Sequence, residues 1–105
     1  MKKEFIGKLE NFPKYRATAI NALGKDIVVY RTDKKIHTFL NICSHEHFPL
    51  EDGEYDDNTV TCSHHGAKYD LATGKVLALP ATSPIQIFKN KIEGGDVYLL
   101  IEDPK

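Results

Sequence analysis

Tryptophan is absent, methionine occurs once and cysteine only twice. Two cysteines among 105 residues exclude the disulfide-stapled scaffolds of small secreted domains. No apolar run approaches the length of a membrane span. The opening Met-Lys-Lys-Glu-Phe-Ile-Gly-Lys is basic, but no apolar stretch follows it, so no signal peptide is expected. An excess of one charge is also missing. Fourteen basic and fifteen acidic residues leave a net charge of −1, which gives no electrostatic case for a nucleic-acid or membrane partner. There is no sustained helical period, linker, repeat or low-complexity tract. With 28% charged and 41% hydrophobic residues, the composition is that of one ordinary globular domain with its own core.

Short strands separated by turn signals fill the chain. The expected strands are Phe5–Leu9, Tyr15–Ile20, Ile27–Tyr30, Ile36–Leu40, Thr59–Cys62, Ala67–Leu71, Lys75–Leu77, Ile85–Phe88 and Val97–Ile101. Gly24-Lys25, Asp52-Gly53, Asp57-Asn58, Thr73-Gly74 and Gly94-Gly95-Asp96 are the hairpin or loop points. Strands at this spacing predict an all-β sandwich or barrel.

The two cysteines stand in Cys43-Ser44-His45 and Cys62-Ser63-His64-His65, a C-x-H…C-x-x-H pattern. A Cys/His quartet suggests tetrahedral zinc, but zinc-finger spacing generally pairs Cys with Cys and His with His. Here each pair is mixed and the gaps are unequal. A [2Fe–2S] rhomb suits that order, because two loops can clamp it from opposite sides. Cys43 and Cys62 would then bind one iron, and His45 and His65 the other. If both thiolates hold iron, none is left for a disulfide, which fits a reducing compartment.

These residues resemble the Rieske iron–sulfur family, whose ligand motif is C-x-H…C-x-x-H. The likeness extends over Gly66-Ala67-Lys68-Tyr69-Asp70-Leu71-Ala72-Thr73-Gly74, over the proline-containing stretch Pro80-Ala81-Thr82-Ser83-Pro84-Ile85, and over Asn41-Ile42 and Pro49-Leu50 around the first motif. High-potential relatives carry an extra Cys in each ligand loop. The neighbourhoods here, CSHEHF and CSHHGA, lack that pair, so the likeness is to the disulfide-free ferredoxins that serve oxygenases.

The resemblance implies a Rieske-like antiparallel β sandwich or barrel base (residues 1–39 and 80–105) with an inserted cluster-binding subdomain (about residues 40–79). It implies one [2Fe–2S] cluster held by Cys43, His45, Cys62 and His65, with His47, His64, Gly66, Tyr69 and Pro80 around it. His47 stands where the family often has a small residue, and His64 lies beside the ligand His65. Two ferric ions, two sulfides and two thiolates sum to zero charge when the imidazoles are neutral, whereas four thiolates would make a dianion. Reduction is therefore easier, in a range of roughly −150 to +300 mV. The free ring nitrogens of the imidazoles would couple proton to electron transfer at high pH.

In high-potential relatives a Tyr at the place of Tyr69 donates to a ligand sulfur, and a Ser two residues earlier donates to a bridging sulfide. Ala67 stands at that earlier place, so the potential is expected in the lower part of the range. The acidic run Glu51–Asp57 between the motifs reads as a solvated turn, or as a docking surface for a basic partner.

No residue set of the hydrolase or transferase kind is present. The expected function is that of a cytoplasmic, monomeric one-electron carrier rather than an enzyme. Its partners would be a flavin-dependent NAD(P)H reductase upstream and a terminal oxygenase or other redox enzyme downstream. The alternatives are the small Rieske subunit of a nitrite reductase-like enzyme and a structural zinc module.

Overall fold

The structure is a computed structural model that describes residues 2–33, 35–42, 50–56, 58–62, 66–78 and 84–101. Among the described residues, ten strands form two antiparallel sheets. In chain order they are β1 (Lys2–Lys8), β2 (Ala17–Ala22), β3 (Lys25–Arg31), β4 (Ile36–Leu40), β5 (Glu54–Asp56), β6 (Thr59–Thr61), β7 (Lys68–Asp70), β8 (Val76–Ala78), β9 (Ile87–Glu93) and β10 (Asp96–Ile101). A 3-10 turn, Leu9–Asn11, follows β1, and no α-helix occurs among the described residues. The larger sheet has the order β1-β10-β9-β4-β3-β2 and curls so that its edge strands β1 and β2 approach each other. The smaller sheet, β5-β6-β7-β8, arises wholly from chain between β4 and β9.

The continuous apolar run Ile27-Val28-Val29-Tyr30 is explained by burial on both faces of β3. Ile27 and Val29 point into the curl, against Ala22, Leu99, Phe12, Ile36 and Val97. Val28 and Tyr30 face the other way, together with Phe39 of β4, and meet the small sheet. That second core joins them to Leu50, Val60, Cys62, Ala67, Tyr69, Leu71 and Ile85. Alternation thus sends one side of β3 and β4 into the base and the other toward the small sheet.

The all-β expectation holds, but several strand limits differ. Tyr15 and Arg16 stay out of β2, because Tyr15 takes a left-handed backbone (φ 59°) and its phenol donates to Asp33 Oδ2 at 2.7 Å. Leu9 opens the 3-10 turn instead of ending β1. The last hairpin is shifted: β9 begins at Ile87 and runs to Glu93, two exposed lysines included. The acidic run is not turn throughout, since Glu54–Asp56 form β5 and pair with Thr59–Thr61. Carboxylates disguised that strand. Tyr55 is inward-facing and stacks on the core, whereas its neighbours Glu54 and Asp56 are exposed.

Candidate metal centre

The register of the small sheet collects three chain segments at one end. Glu54 pairs with Thr61, Thr61 with Lys68, and Lys68 with Ala78, so these four residues form one row across β5–β8. Cys62 follows Thr61 directly, and Gly66 and Ala67 lead into Lys68. Residue 79 follows Ala78. Leu50 reaches the same end: its carbonyl accepts from Gly53 N at 3.0 Å, and a Cβ on Gly53 would sit 2.6 Å from the Thr61 carbonyl. Leu50, Cys62, Gly66 and Ala78, which border the segments 43–49, 63–65 and 79–83, therefore lie toward one end of the small sheet.

Two of these segments are closed at their bases. Cys62 N donates to the Ala67 carbonyl at 2.7 Å, and Gly66 N donates to the Cys62 carbonyl at 3.1 Å. Gly66 takes φ 76°, which L side chains rarely adopt, and so turns the chain back into β7. The first segment is closed by Asn41, whose Oδ1 accepts from Leu50 N at 2.7 Å and from Glu51 N at 2.9 Å. The third is framed by β8 before it and by Ile85 after it, where Ile85 N donates to the Gly74 carbonyl at 3.0 Å.

Cys62 is buried at 1% exposure within the apolar cluster of Val60, Ala67, Tyr69 and Leu71. Tyr69 is fully buried there, opposite Val60 of β6 and Val76 of β8. A phenol at this depth needs an acceptor for its O–H. Ala67 is equally buried and brings no side-chain donor. Of the residues singled out from the sequence, Cys62, Gly66 and Tyr69 are thus brought together. Cys43, His45, His47, His64, His65 and Pro80 lie outside the described residues. His37 is a buried residue of β4. Sequence reasoning missed the part played by Asn41, Leu50 and Tyr55. The available signal was an Asn two residues before the first motif cysteine.

The family model of the Rieske [2Fe-2S] domain matches residues 3–89. The chain belongs to this family. It is 30% identical over 94 residues to the ferredoxin component of the naphthalene 1,2-dioxygenase/salicylate 5-hydroxylase systems of Ralstonia sp, covering 90% of each chain. It is 30% identical over 104 residues to the 3-phenylpropionate/cinnamic acid dioxygenase ferredoxin subunit of Photorhabdus laumondii, covering 98% of each. Among solved structures, the ferredoxin of carbazole 1,9a-dioxygenase from Nocardioides aromaticivorans IC177 shares the fold, with a TM-score of 0.89, 21% identity, and coverage of 97% of this chain and 100% of that one. A chain in a complex of reduced oxygenase and oxidized ferredoxin of carbazole 1,9a-dioxygenase superposes with a TM-score of 0.84 at 22% identity, covering 92% of this chain and 91% of that one.

The cofactor of this Rieske chain is one [2Fe–2S] cluster. The described residues fit it. A buried cysteine suits a thiolate ligand screened from water. The apolar lining of Leu50, Val60 and Leu71 limits solvent access, which helps to set a cluster's potential. Among the described residues no helix is long and apolar enough to cross a membrane.

Proposed function

We propose that this Rieske protein carries single electrons to a terminal oxygenase. The observation behind this reading is the likeness over 98% of both chains to a dioxygenase ferredoxin subunit. Bound through Cys43, His45, Cys62 and His65, the cluster would take up and release one electron. Cys43 and Cys62 would hold one iron, and His45 and His65 the other. Gly66 would bring backbone close to the cluster, Tyr69 would donate a hydrogen bond to a ligand sulfur, and residues 79–83 with Pro80 would exclude water. His47 and His64 would sit beside the ligands. Residues from about 40 to 79 would act as the cluster-binding subdomain on a base of 1–39 and 80–105.

The upstream donor in this reading is a flavin-dependent NAD(P)H reductase, and the protein works as a monomer in the cytoplasm. A carrier shuttling between two enzymes needs small, weak interfaces.

EPR before and after dithionite, with iron, sulfide and zinc quantified on the same sample, tests the reading. A silent oxidised protein that gives one rhombic signal on reduction, with equal iron and sulfide, supports it. Replacing Cys62 with Ser or His65 with Ala should abolish that signal. Stoichiometric zinc and no signal would leave a β domain with a structural metal.

A further inference from the structure

We propose that Asn41 is a positioning residue for the cluster, because one buried carboxamide sets where the first ligand segment leaves and rejoins the protein. This rests on the reading of Cys43 and His45 as ligands. Asn41 follows β4 and is only 4% exposed. Its Oδ1 accepts from the backbone N–H of Leu50 and Glu51, at 2.7 and 2.9 Å. Its Nδ2 donates to Asp26 Oδ2 and to Glu51 Oε1, both at 3.1 Å. Its own backbone N–H donates to the Asp26 carbonyl at 2.9 Å.

A carboxamide offers two donors and one two-lone-pair acceptor, and here all are used. The partners also fix its orientation. Leu50 and Glu51 present N–H groups that only donate, and Asp26 and Glu51 present carboxylates that only accept. The amide therefore has one productive orientation, and no flipped alternative competes.

What these bonds join is specific. Asp26 belongs to β3 of the base, whereas Leu50 and Glu51 lie just beyond the 43–49 segment. None of the strand pairings of either sheet runs through the Asn41 side chain. Leu50 is fully buried and gripped from its other side as well, where its carbonyl accepts from Tyr55 Oη at 2.6 Å and from Gly53 N at 3.0 Å. Both ends of the segment carrying Cys43 and His45 thus meet at one side chain anchored to the base. Such supporting contacts hold metal ligands at the geometry the metal requires.

The test compares cluster-loaded wild type with Asn41→Ala and with Leu99→Ala, a core truncation inside the curled sheet. The readouts are the EPR spectrum after reduction, the rate of bleaching in a chelator, and Tm. Asn41→Ala should shift or broaden the g values and lose its cluster roughly tenfold faster or more. Leu99→Ala should lower Tm while keeping the wild-type spectrum and bleaching rate.

A wild-type spectrum and rate in Asn41→Ala, or the same changes in Leu99→Ala, would overturn the proposal. If Asn41→Ala does not fold, Asn41→Asp decides, because it keeps the acceptor for Leu50 N and Glu51 N and breaks the bond to Asp26 without leaving a void. A changed spectrum upholds the clasp, and an unchanged one overturns it. A wild-type protein with no EPR signal would remove the reading underneath and the proposal with it.

Discussion

Tyr30 of β3 and Tyr55 of β5 stack with ring centroids 4.4 Å apart and planes inclined by 18°. The two rings fasten the small sheet to the curled one. Tyr55 also closes the first ligand segment through its bond to Leu50, so one residue has two separable jobs. Tyr55→Phe keeps the stack and loses a hydrogen bond, at a cost of about 1 kcal/mol. Tyr55→Ala loses both and should cost roughly 2 kcal/mol or more, as a half-buried ring. Urea unfolding of the two variants measures the difference. Equal costs would show that the stack contributes nothing.

The same phenol gives the fold a dependence on alkaline pH. Burial raises its pKa well above the ordinary tyrosine range, and Glu51, Tyr30 and Asp52 push in the same direction. The folded state therefore keeps the proton when the unfolded chain gives it up. Stability is fully present below the unfolded pKa of about 10 and falls as pH rises toward the folded value. Unfolding curves between neutrality and strong alkali should show wild type losing stability faster than Tyr55→Phe. Parallel curves would remove Tyr55 as the source.

Tyr69 lies fully buried in the cluster that contains Cys62. If its O–H donates to a ligand sulfur, that bond favours the reduced, more negative state. A preference of about 1 kcal/mol corresponds to about 40 mV for one electron. Tyr69→Phe should lower the potential by that order in a voltammetric titration. An unchanged potential would leave Tyr69 as a packing residue.

Gly74 takes φ 79°, and a Cβ there would collide with the carbonyl oxygen of Ile85. That carbonyl belongs to the residue whose N–H binds Gly74, just after the third segment. Gly74→Ala should cost about 2–4 kcal/mol, combining left-handed strain with the clash. Gly94 has φ 56° and open space around it, so Gly94→Ala should cost about 1–2 kcal/mol. Thermal melts of the pair separate strain from crowding, and equal shifts would show that the Ile85 carbonyl simply moves.

Much of the fold was legible because its signals are local. Ile27–Tyr30 announced a strand buried on both faces, and Gly94-Gly95 announced the last hairpin. β5 was not legible, because three of its flanking and member residues are carboxylates and only Tyr55 faces inward. The pairing of β1 with β10 was hidden for another reason, since partners at opposite ends of a chain share no short-range pattern. At the site, Cys62, Gly66 and Tyr69 carried spacing that could be read directly. Asn41 did not, because a side chain gripping backbone amides nine and ten residues away leaves no periodic trace.

β4 and β9 are neighbours in the curled sheet, where Thr38 pairs with Phe88, Phe39 pairs with Ile87, and Leu40 N reaches the Gln86 carbonyl at 3.0 Å. Everything from Asn41 to Gln86 enters and leaves through a gap no wider than a hairpin's. A short turn can bridge such a gap, so a turn joining Leu40 to Ile87 would excise the chain that carries Cys62 without parting β4 from β9. The wound left behind would be apolar. Val28, Tyr30, Phe39 and Ile87 would lose their cover, and the emptied sheet would stick to its own copies unless that face were made polar.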